Sequence, residues 1–374
     1  MASMKKVGFV GWRGMVGSVL MDRMNELGDF KKIESIFFST SQVGEKAPNY
    51  SSSELLKDAL NIDELLEMDI IVTCQGGDYT KEVHPKLKSK NWNGYWIDAA
   101  STLRMNSDSV IVLDPVNRSV IDRALNDGIK DFVGGNCTVS LMMMALGGLF
   151  ESDEIEWLTS MTYQAASGGG ARHMKELLTQ MKVVGTNFTQ MDESLSKDIM
   201  KVDQLVTNTL RDGSLDISCF GAPLAGNLIP WIDSAVEAGQ TREEWKGVAE
   251  TNKILGRSEN IIPIDGTCVR IGTMRCHSQA FTIKLKRNIP MDEITQMISS
   301  HNDWVKVIGN TPEETRSGLT PAAVSGTLDI PVGRLRKMNL GEQYLNAFTC
   351  GDQLLWGAAE PVRRMLGILV DSSL

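Results

Sequence analysis

Val7-Gly8-Phe9-Val10-Gly11-Trp12-Arg13-Gly14-Met15-Val16-Gly17 decides how this chain is read. The apolar run to Val10 has the length of a buried strand, the glycines form a tight turn, and a helix opens beyond them. The spacing Gly-x-x-Gly-x-x-Gly is a variant of the dinucleotide fingerprint. Gly11 and Gly14 would let the backbone approach a pyrophosphate, whose charge the helix N-terminus favours. On its own the motif also suits a plain tight connection.

Outward from it, strands are expected at Glu34–Ser39, Asp69–Cys74, Tyr95–Ala99, Val110–Leu113 and Phe132–Gly134, with helices such as Val16–Leu27 and Arg118–Asn126 between them. That alternation predicts a parallel sheet with helices on both faces and ligands beyond the strands' carboxyl ends. The second strand ends in Ser39-Thr40-Ser41-Gln42, with hydroxyls and no carboxylate. An NAD ribose would call for an acid there, so the reading favours a 2′-phosphate and NADP(H), with Arg13 as a cationic helper. Gln75-Gly76-Gly77-Asp78 follows the third strand, and Arg104 lies just beyond the fourth.

Phe132-Val133-Gly134-Gly135-Asn136-Cys137 reads as a strand, a turn, and a thiol in the first turn of the apolar helix that follows. The partial positive charge of a helix N-terminus predicts a lowered thiol pKa and a nucleophilic Cys137. Most free cysteines are small buried hydrophobes, so the thiol needs company. His277, in Arg275-Cys276-His277-Ser278, is the candidate partner, and Arg270 suits a substrate carboxylate. These two are seven apart, which on one regular strand sends them to opposite faces; a bulge or bend near Gly272 is therefore expected. Gln164 precedes Ser167-Gly168-Gly169-Gly170, a backbone-rich cradle or turn, and could orient a carbonyl. Arg242-Glu243-Glu244-Trp245-Lys246, with Glu250, reads by itself as a solvated helix face laced by charge pairs.

After Phe150 the texture changes. Strands are expected at Trp157–Ala166, Ile261–Ile264, Cys276–Lys286, Val305–Ile308, Arg334–Leu340 and Tyr344–Thr349. Helices are expected at His173–Val183, Asp192–Arg211, Arg242–Leu255 and Gln353–Val370, with Pro361 interrupting or restarting the last. The fold class is thus α/β, a Rossmann-like nucleotide-binding domain followed by an α+β domain with a mixed sheet. The boundaries fall at 1–135 with 353–374, and 136–352.

At 374 residues, 42% hydrophobic and 23% charged, the composition is that of an ordinary globular protein with room for two cores. A net charge of -9 without a basic stretch argues against nucleic acid. No apolar run reaches the roughly 20 residues that would span a membrane. The start lacks a secretory pattern, the six cysteines form no Cys-x-x-Cys pair, and the four histidines are dispersed. A reduced, cytoplasmic, metal-free protein is expected.

Together these segments, with Gly351-Asp352-Gln353-Leu354-Leu355-Trp356-Gly357, closely resemble aspartate-β-semialdehyde dehydrogenases of the Gram-negative bacterial type, from Met4 to Gly367. The resemblance implies NADPH-dependent reduction of L-aspartyl-4-phosphate to the semialdehyde and phosphate, within the biosynthesis of lysine, threonine, methionine and isoleucine. It implies that Cys137 carries the acyl group as a thioester, that His277 is the acid/base, and that Gln164 orients the intermediate. Arg270 then grips the substrate carboxylate, Glu243 lies near its amino group, and Arg104, Asn136 and Lys246 bind phosphate. Arg13, Gly14, Met15, Val16, Thr40, Ser41, Gln75, Ser167, Gly168 and Gln353 match cofactor contacts, and the family is homodimeric with its last helix packed on the nucleotide domain. Relatives carry a proline-containing cofactor contact between the central helices; Asp192–Lys197 has no proline, so that contact is not carried over. The alternatives are a longer acyl phosphate such as N-acetylglutamyl phosphate, against which Glu243 argues, and a non-redox cysteine acyl-transferase, against which Gly11–Gly17 argues.

Overall fold

The computed structural model describes residues 4–372; Met1-Ala2-Ser3, expected to be inert, lies outside them. Seven strands, β1 (Lys6–Val10), β2 (Glu34–Ser39), β3 (Lys57–Asp58), β4 (Ile70–Thr73), β5 (Tyr95–Asp98), β6 (Ser109–Val112) and β7 (Asp131–Gly134), form one sheet. Its order is β3-β2-β1-β4-β5-β7-β6, and every pairing is parallel. The order reverses between β1 and β4, which opens a crevice beyond their carboxyl ends. There Gly11 adopts φ +72°, and a Cβ on it would stand 2.4 Å from the Gln75 backbone nitrogen, so only glycine lets these two turns meet.

The helix Cys137–Glu151 leaves β7 directly and is buried on every side from Thr138 to Phe150. A helix apolar all round belongs inside a core. Here it packs Leu141, Met142 and Leu146 among Ile111 and Leu113 of the first sheet's β6 edge and Leu158, Phe281 and Ile283 of the second sheet. It is the joint between the two layers.

The second sheet holds eight strands: β8 (Ile155–Gln164), β9 (Leu228–Ile229), β10 (Ile264–Asp265), β11 (Cys268–Ile271), β12 (Cys276–Leu285), β13 (Val305–Val307), β14 (Ile330–Met338) and β15 (Gly341–Asp352). It is mixed: β11 runs parallel to β8, while β12 runs antiparallel to both β8 and β15. Along β8 the buried Leu158, Ser160, Thr162 and Gln164 alternate with Trp157, Met161 and Tyr163 on the outer face. The last helix, Glu360–Asp371, sinks Val362, Met365, Leu366 and Leu369 into the core that holds Phe9 and Ile97 of the first sheet.

Three readings need correction. The bend expected near Gly272 is a full change of strand: Arg270 lies near the end of β11 on one side of β8, and His277 near the start of β12 on the other. The helix expected over Asp192–Arg211 is two, Glu193–Ser196 and Ile199–Arg211, because the Asp198 side chain accepts from Met200 N and caps a new start. The strand expected at Ile261–Ile264 shrinks to Ile264–Asp265. Pro361 restarts the last helix, as one of its two expected roles: the helix opens at Glu360 after the separate segment Leu355–Ala359, and the proline sits in its first turn, where no N–H is needed.

Candidate active site

Asn136 caps the thiol helix, its side-chain oxygen accepting from Thr138 N (3.0 Å) and Val139 N (3.2 Å). Such a cap contributes about 1 kcal/mol and fixes where the first turn begins. Cys137 follows at once, half-buried on the wall of a cleft of about 410 Å³. Arg104, Asn136, Gln164, Gly168, Glu243, Lys246, Arg270 and Gln353 share that cleft. Nine of the residues read from sequence, on elements far apart in the chain, are thus brought to one place.

Sheet register explains part of this convergence. Arg270 of β11 pairs with Gln164 of β8, and the β8–β12 ladder (Ser278 opposite Tyr163) puts His277 one step further, level with Gln164. Three neighbouring strands therefore carry Arg270, Gln164 and His277 in one row on one face. Just beyond, Arg270 Nη1 donates to Ala165 O (2.6 Å), and Ala165 N donates to His277 Nδ1 (3.0 Å). Accepting at Nδ1 leaves the neutral ring's proton on Nε2, a buried atom with no partner. A Cβ on Gly168 would sit 2.8 Å from Arg270 Nη1 and 3.1 Å from His277 Nε2, so this glycine keeps open the space that both groups face.

The fourth wall is the helix Arg242–Ile254, entered through a capping box of Thr241 and Glu244. The solvated face expected here is instead turned inward: Glu243 and Glu250 are buried. Glu243 Oε1 accepts from Asn136 Nδ2 (3.0 Å) and Gln164 Nε2 (3.2 Å), and its Oε2 meets Lys246 Nζ at 2.9 Å. Glu250 binds the Asn136 backbone N (2.7 Å) and Arg104 Nη1 (3.1 Å), while Arg104 Nε donates to Gly134 O (2.6 Å). Glu250 was not singled out from sequence, because a carboxylate on a charged helix carries no mark of the face it takes. Asp233, on the cleft rim and paired with Lys246 at 2.9 Å, was missed too.

Electrostatics overturns one expectation. Burial, helped by the Glu243 charge, pushes the Cys137 thiol up to about 12, against the pull of Arg270, Arg104 and Lys246. The first N–H groups of the helix are taken by the Asn136 cap, which leaves less of the N-terminal field for the sulfur. Burial and then the Arg270 charge hold His277 well below the usual histidine value, so it is neutral. Burial works against the charge of Glu243, yet Lys246, Asn136 and Gln164 more than offset it and keep its carboxyl below the ordinary range.

A second cleft lies around the first sheet's switch point, lined by Gly11, Arg13, Gly14, Thr40, Ser41 and Gln75, with no carboxylate among its lining residues. Met15 and Val16 begin the helix behind it. Ser39 Oγ accepts from Ser41 N and Gln42 N and from Arg13 Nη2 (2.9 Å), so one hydroxyl shapes the turn and aims the guanidinium. Gln353 Nε2 donates to Ser167 Oγ (2.9 Å), tying the β8 turn to the last helical segment. The close glycine turns, the cation and the missing acid fit a nicotinamide dinucleotide. Among the described residues, no cluster of three or more His, Cys, Asp or Glu stands ready for a metal, and no helix is long and apolar enough to cross a membrane.

Comparison with known proteins agrees with this layout. The family profile "Semialdehyde dehydrogenase, NAD binding domain" matches residues 6–124, and "Semialdehyde dehydrogenase, dimerisation domain" matches 146–356. The solved aspartate semialdehyde dehydrogenase of Francisella tularensis is 50% identical, with a TM-score of 0.93 over 98% of this chain and 100% of that one. Aspartate semialdehyde dehydrogenase II of Vibrio cholerae, solved with ASA, is 21% identical (TM-score 0.81, 100% of both chains) and shares the fold. So does the Candida albicans enzyme solved with NADP, at 17% identity, a TM-score of 0.65 and 98% of both chains. Identity of one position in two, end to end, goes beyond a common fold, and the chain belongs to the aspartate-semialdehyde dehydrogenase family.

Proposed function

We propose that Cys137 is the acyl-carrying nucleophile of a phosphorylating aspartate-semialdehyde dehydrogenase that uses NADP(H). The observation that carries this reading is the single cleft in which one thiol faces three cations and a fixed carboxylate. Arg270 takes the substrate α-carboxylate and Glu243 its α-ammonium, which together orient the four-carbon chain toward the sulfur. Arg104, Lys246 and the Asn136 amide take the phosphoryl group. An N-acetylated substrate would bring no cation to Glu243, which counts against the longer acyl phosphate.

In the oxidative direction, Sγ adds to the aldehyde carbon and the thiol proton ends on the former carbonyl oxygen. The Nε2–H of His277 donates to that oxygen while it carries negative charge, and Gln164, whose amide N–H groups go to Thr162 Oγ1 (3.1 Å) and Glu243 Oε1 (3.2 Å), orients the intermediate by fixing the carboxylate beside it. Gly11, Arg13–Val16, Thr40, Ser41, Gln75, Ser167, Gly168 and Gln353 would hold a nicotinamide dinucleotide, which when bound would accept the hydride leaving the thiohemiacetal carbon as the hydroxyl proton is lost to solvent and the thioester forms. Phosphate then attacks the thioester carbon: a C–O bond forms, the C–S bond breaks, and Cys137 regains its proton. With Nδ1 occupied by Ala165 N, His277 is set as a donor rather than as the base that takes the thiol proton. Arg13 above Ser39–Ser41 supports a 2′-phosphate and so NADP(H) over NAD(H).

Residues 1–135 with 353–374 would hold the cofactor, and 136–352 the catalytic and dimerisation functions, in a cytoplasmic homodimer. The apolar outer row Trp157, Met161 and Tyr163, within the matched dimerisation domain, supports pairing of two copies. Light scattering of the purified protein should return twice the chain mass; a monomer at micromolar concentration would refute the dimer. The activity test is NADPH formation from semialdehyde, phosphate and NADP, which must be absent with NADP or phosphate withheld. In the same assay Arg270→Lys should lower kcat/KM by about a hundredfold or more, mostly through KM, because a point charge loses the bidentate grip. An unchanged KM for semialdehyde would remove Arg270 from the substrate site.

A further inference from the structure

Lys246 stands between two carboxylates of different character. Glu243 is 7% exposed and pinned by Asn136, Gln164 and Lys246, whereas Asp233 is 34% exposed and, among the described residues, has Lys246 as its one ion-pair partner, at 2.9 Å. Asp233 lines the cleft with Arg104, Cys137 and Arg270. It lies in the left-handed region at φ +71°, in a turn closed by its own contacts: Ser234 N donates to Oδ1 (2.8 Å) and the Trp231 indole N–H donates to Asp233 O (3.0 Å). The turn, rather than burial, thus aims this carboxylate at the lysine.

We propose that Asp233 is an exchangeable counter-ion for Lys246, a positioning residue that holds the ammonium in the cleft and weakens the binding of the phosphoryl group there. The inference deepens the proposed function and rests on Lys246 being a phosphate ligand. Of the three N–H donors on Lys246, carboxylates occupy two. A phosphate dianion needs those donors, and it meets in Asp233 a like charge a few ångströms away on the exposed rim. Without Asp233, and among the described residues, Lys246 would keep only Glu243 as an ion-pair partner and Arg104 only Glu250, and the site would hold free phosphate more tightly. With Asp233 in place, free phosphate is held less tightly than phosphate that arrives joined to the acyl chain. Selection of an acyl phosphate over free phosphate follows, because Arg270 and Glu243 add grip for the acyl part alone.

Asparagine also tolerates the left-handed region and can accept from Ser234 N, so Asp233→Asn removes the charge and keeps the turn. Initial rates in the phosphorylating direction should show a KM for inorganic phosphate lower by about five- to tenfold, the effect shrinking as salt is raised. The KM for semialdehyde should stay within about twofold, since its anchors are untouched. Asp233→Gly, which keeps the turn by another route, should behave alike. A phosphate KM unchanged or raised in both variants, with wild-type melting, would overturn the proposal: Asp233 would then be a mere prop for Lys246 or irrelevant to it. Lys246→Ala separates the two readings. If it leaves the phosphate KM unaltered, the assignment of phosphate to Lys246 is what fails, and the counter-ion role falls with it.

Discussion

Cys137→Ser protein should fold, bind both substrates and turn over at least about a thousandfold more slowly than the parent. The substitution is nearly isosteric. The helix keeps its Asn136 cap, and the packing of Gly357 against Cys137 Cβ (a Cβ on Gly357 would lie 2.9 Å away) is undisturbed. Melting should therefore move by no more than about 1 kcal/mol in stability. Chemistry suffers because a hydroxyl is a far weaker nucleophile and a poorer leaving group from the acyl carbon, in a cleft that already holds the thiol at about 12. Turnover within tenfold of the parent, with trace wild-type enzyme excluded by mass spectrometry, would end the covalent mechanism.

His277→Asn should cost about two to three orders of magnitude in kcat with little change in the KM for semialdehyde. The asparagine oxygen can take the place of Nδ1 as acceptor for Ala165 N, so the turn beyond β8 is kept, while the Nε2–H aimed at the substrate oxygen is lost. The substitution also has a pH signature. In the unfolded chain the imidazole binds a proton below about 6.5, whereas burial and Arg270 keep the folded ring neutral to well below that. The unfolded state therefore binds more protons in that window, and the parent loses stability as pH falls from 6.5 toward the depressed folded value. Denaturant midpoints for the parent minus His277→Asn should converge downward on acidification. A difference flat between pH 7.5 and 5.5 would show that the buried ring is already charged or is solvated.

The parallel sheet was legible because its strands are short apolar runs punctuated by glycine turns, and β2, Glu34–Ser39, was bounded to the residue. Cys137, His277, Arg270 and Gln164 stood out by residue type and position, while Asn136, Glu243 and Lys246 came through the resemblance; that Arg270, Gln164 and His277 share one row was not legible, because register between distant strands is set by the fold. Helix Gly77–Ser89 was hidden because glycine opens it and Pro85 lies within it. β11 escaped because four residues carry too little periodicity, and that omission turned a change of strand into an imagined bulge. Glu250 and Asp233 were illegible for another reason. Charge tells which residues seek water on average, but their burial and pairing are settled by what the fold stacks above them. The thiol's raised pKa was likewise out of reach, since it depends on how closely protein surrounds the sulfur.

The thiol helix lies in the core between the two sheets, braced by the helices Asp114–Asn126, Arg242–Ile254 and Met291–Ser299, and this has a mechanical consequence. If the cofactor-side sheet rocked against the mixed sheet as ligands come and go, the rotation would have its pivot near Cys137–Glu151 and its neighbour Arg242–Ile254, both packed against the two sheets. An atom on a pivot sweeps the smallest arc. The sulfur would then stay almost stationary relative to Gln164 and His277, while the dinucleotide cleft at Gly11, farther from the axis, swings through the larger displacement. Such a machine admits and releases its cofactor without ever misaligning its nucleophile.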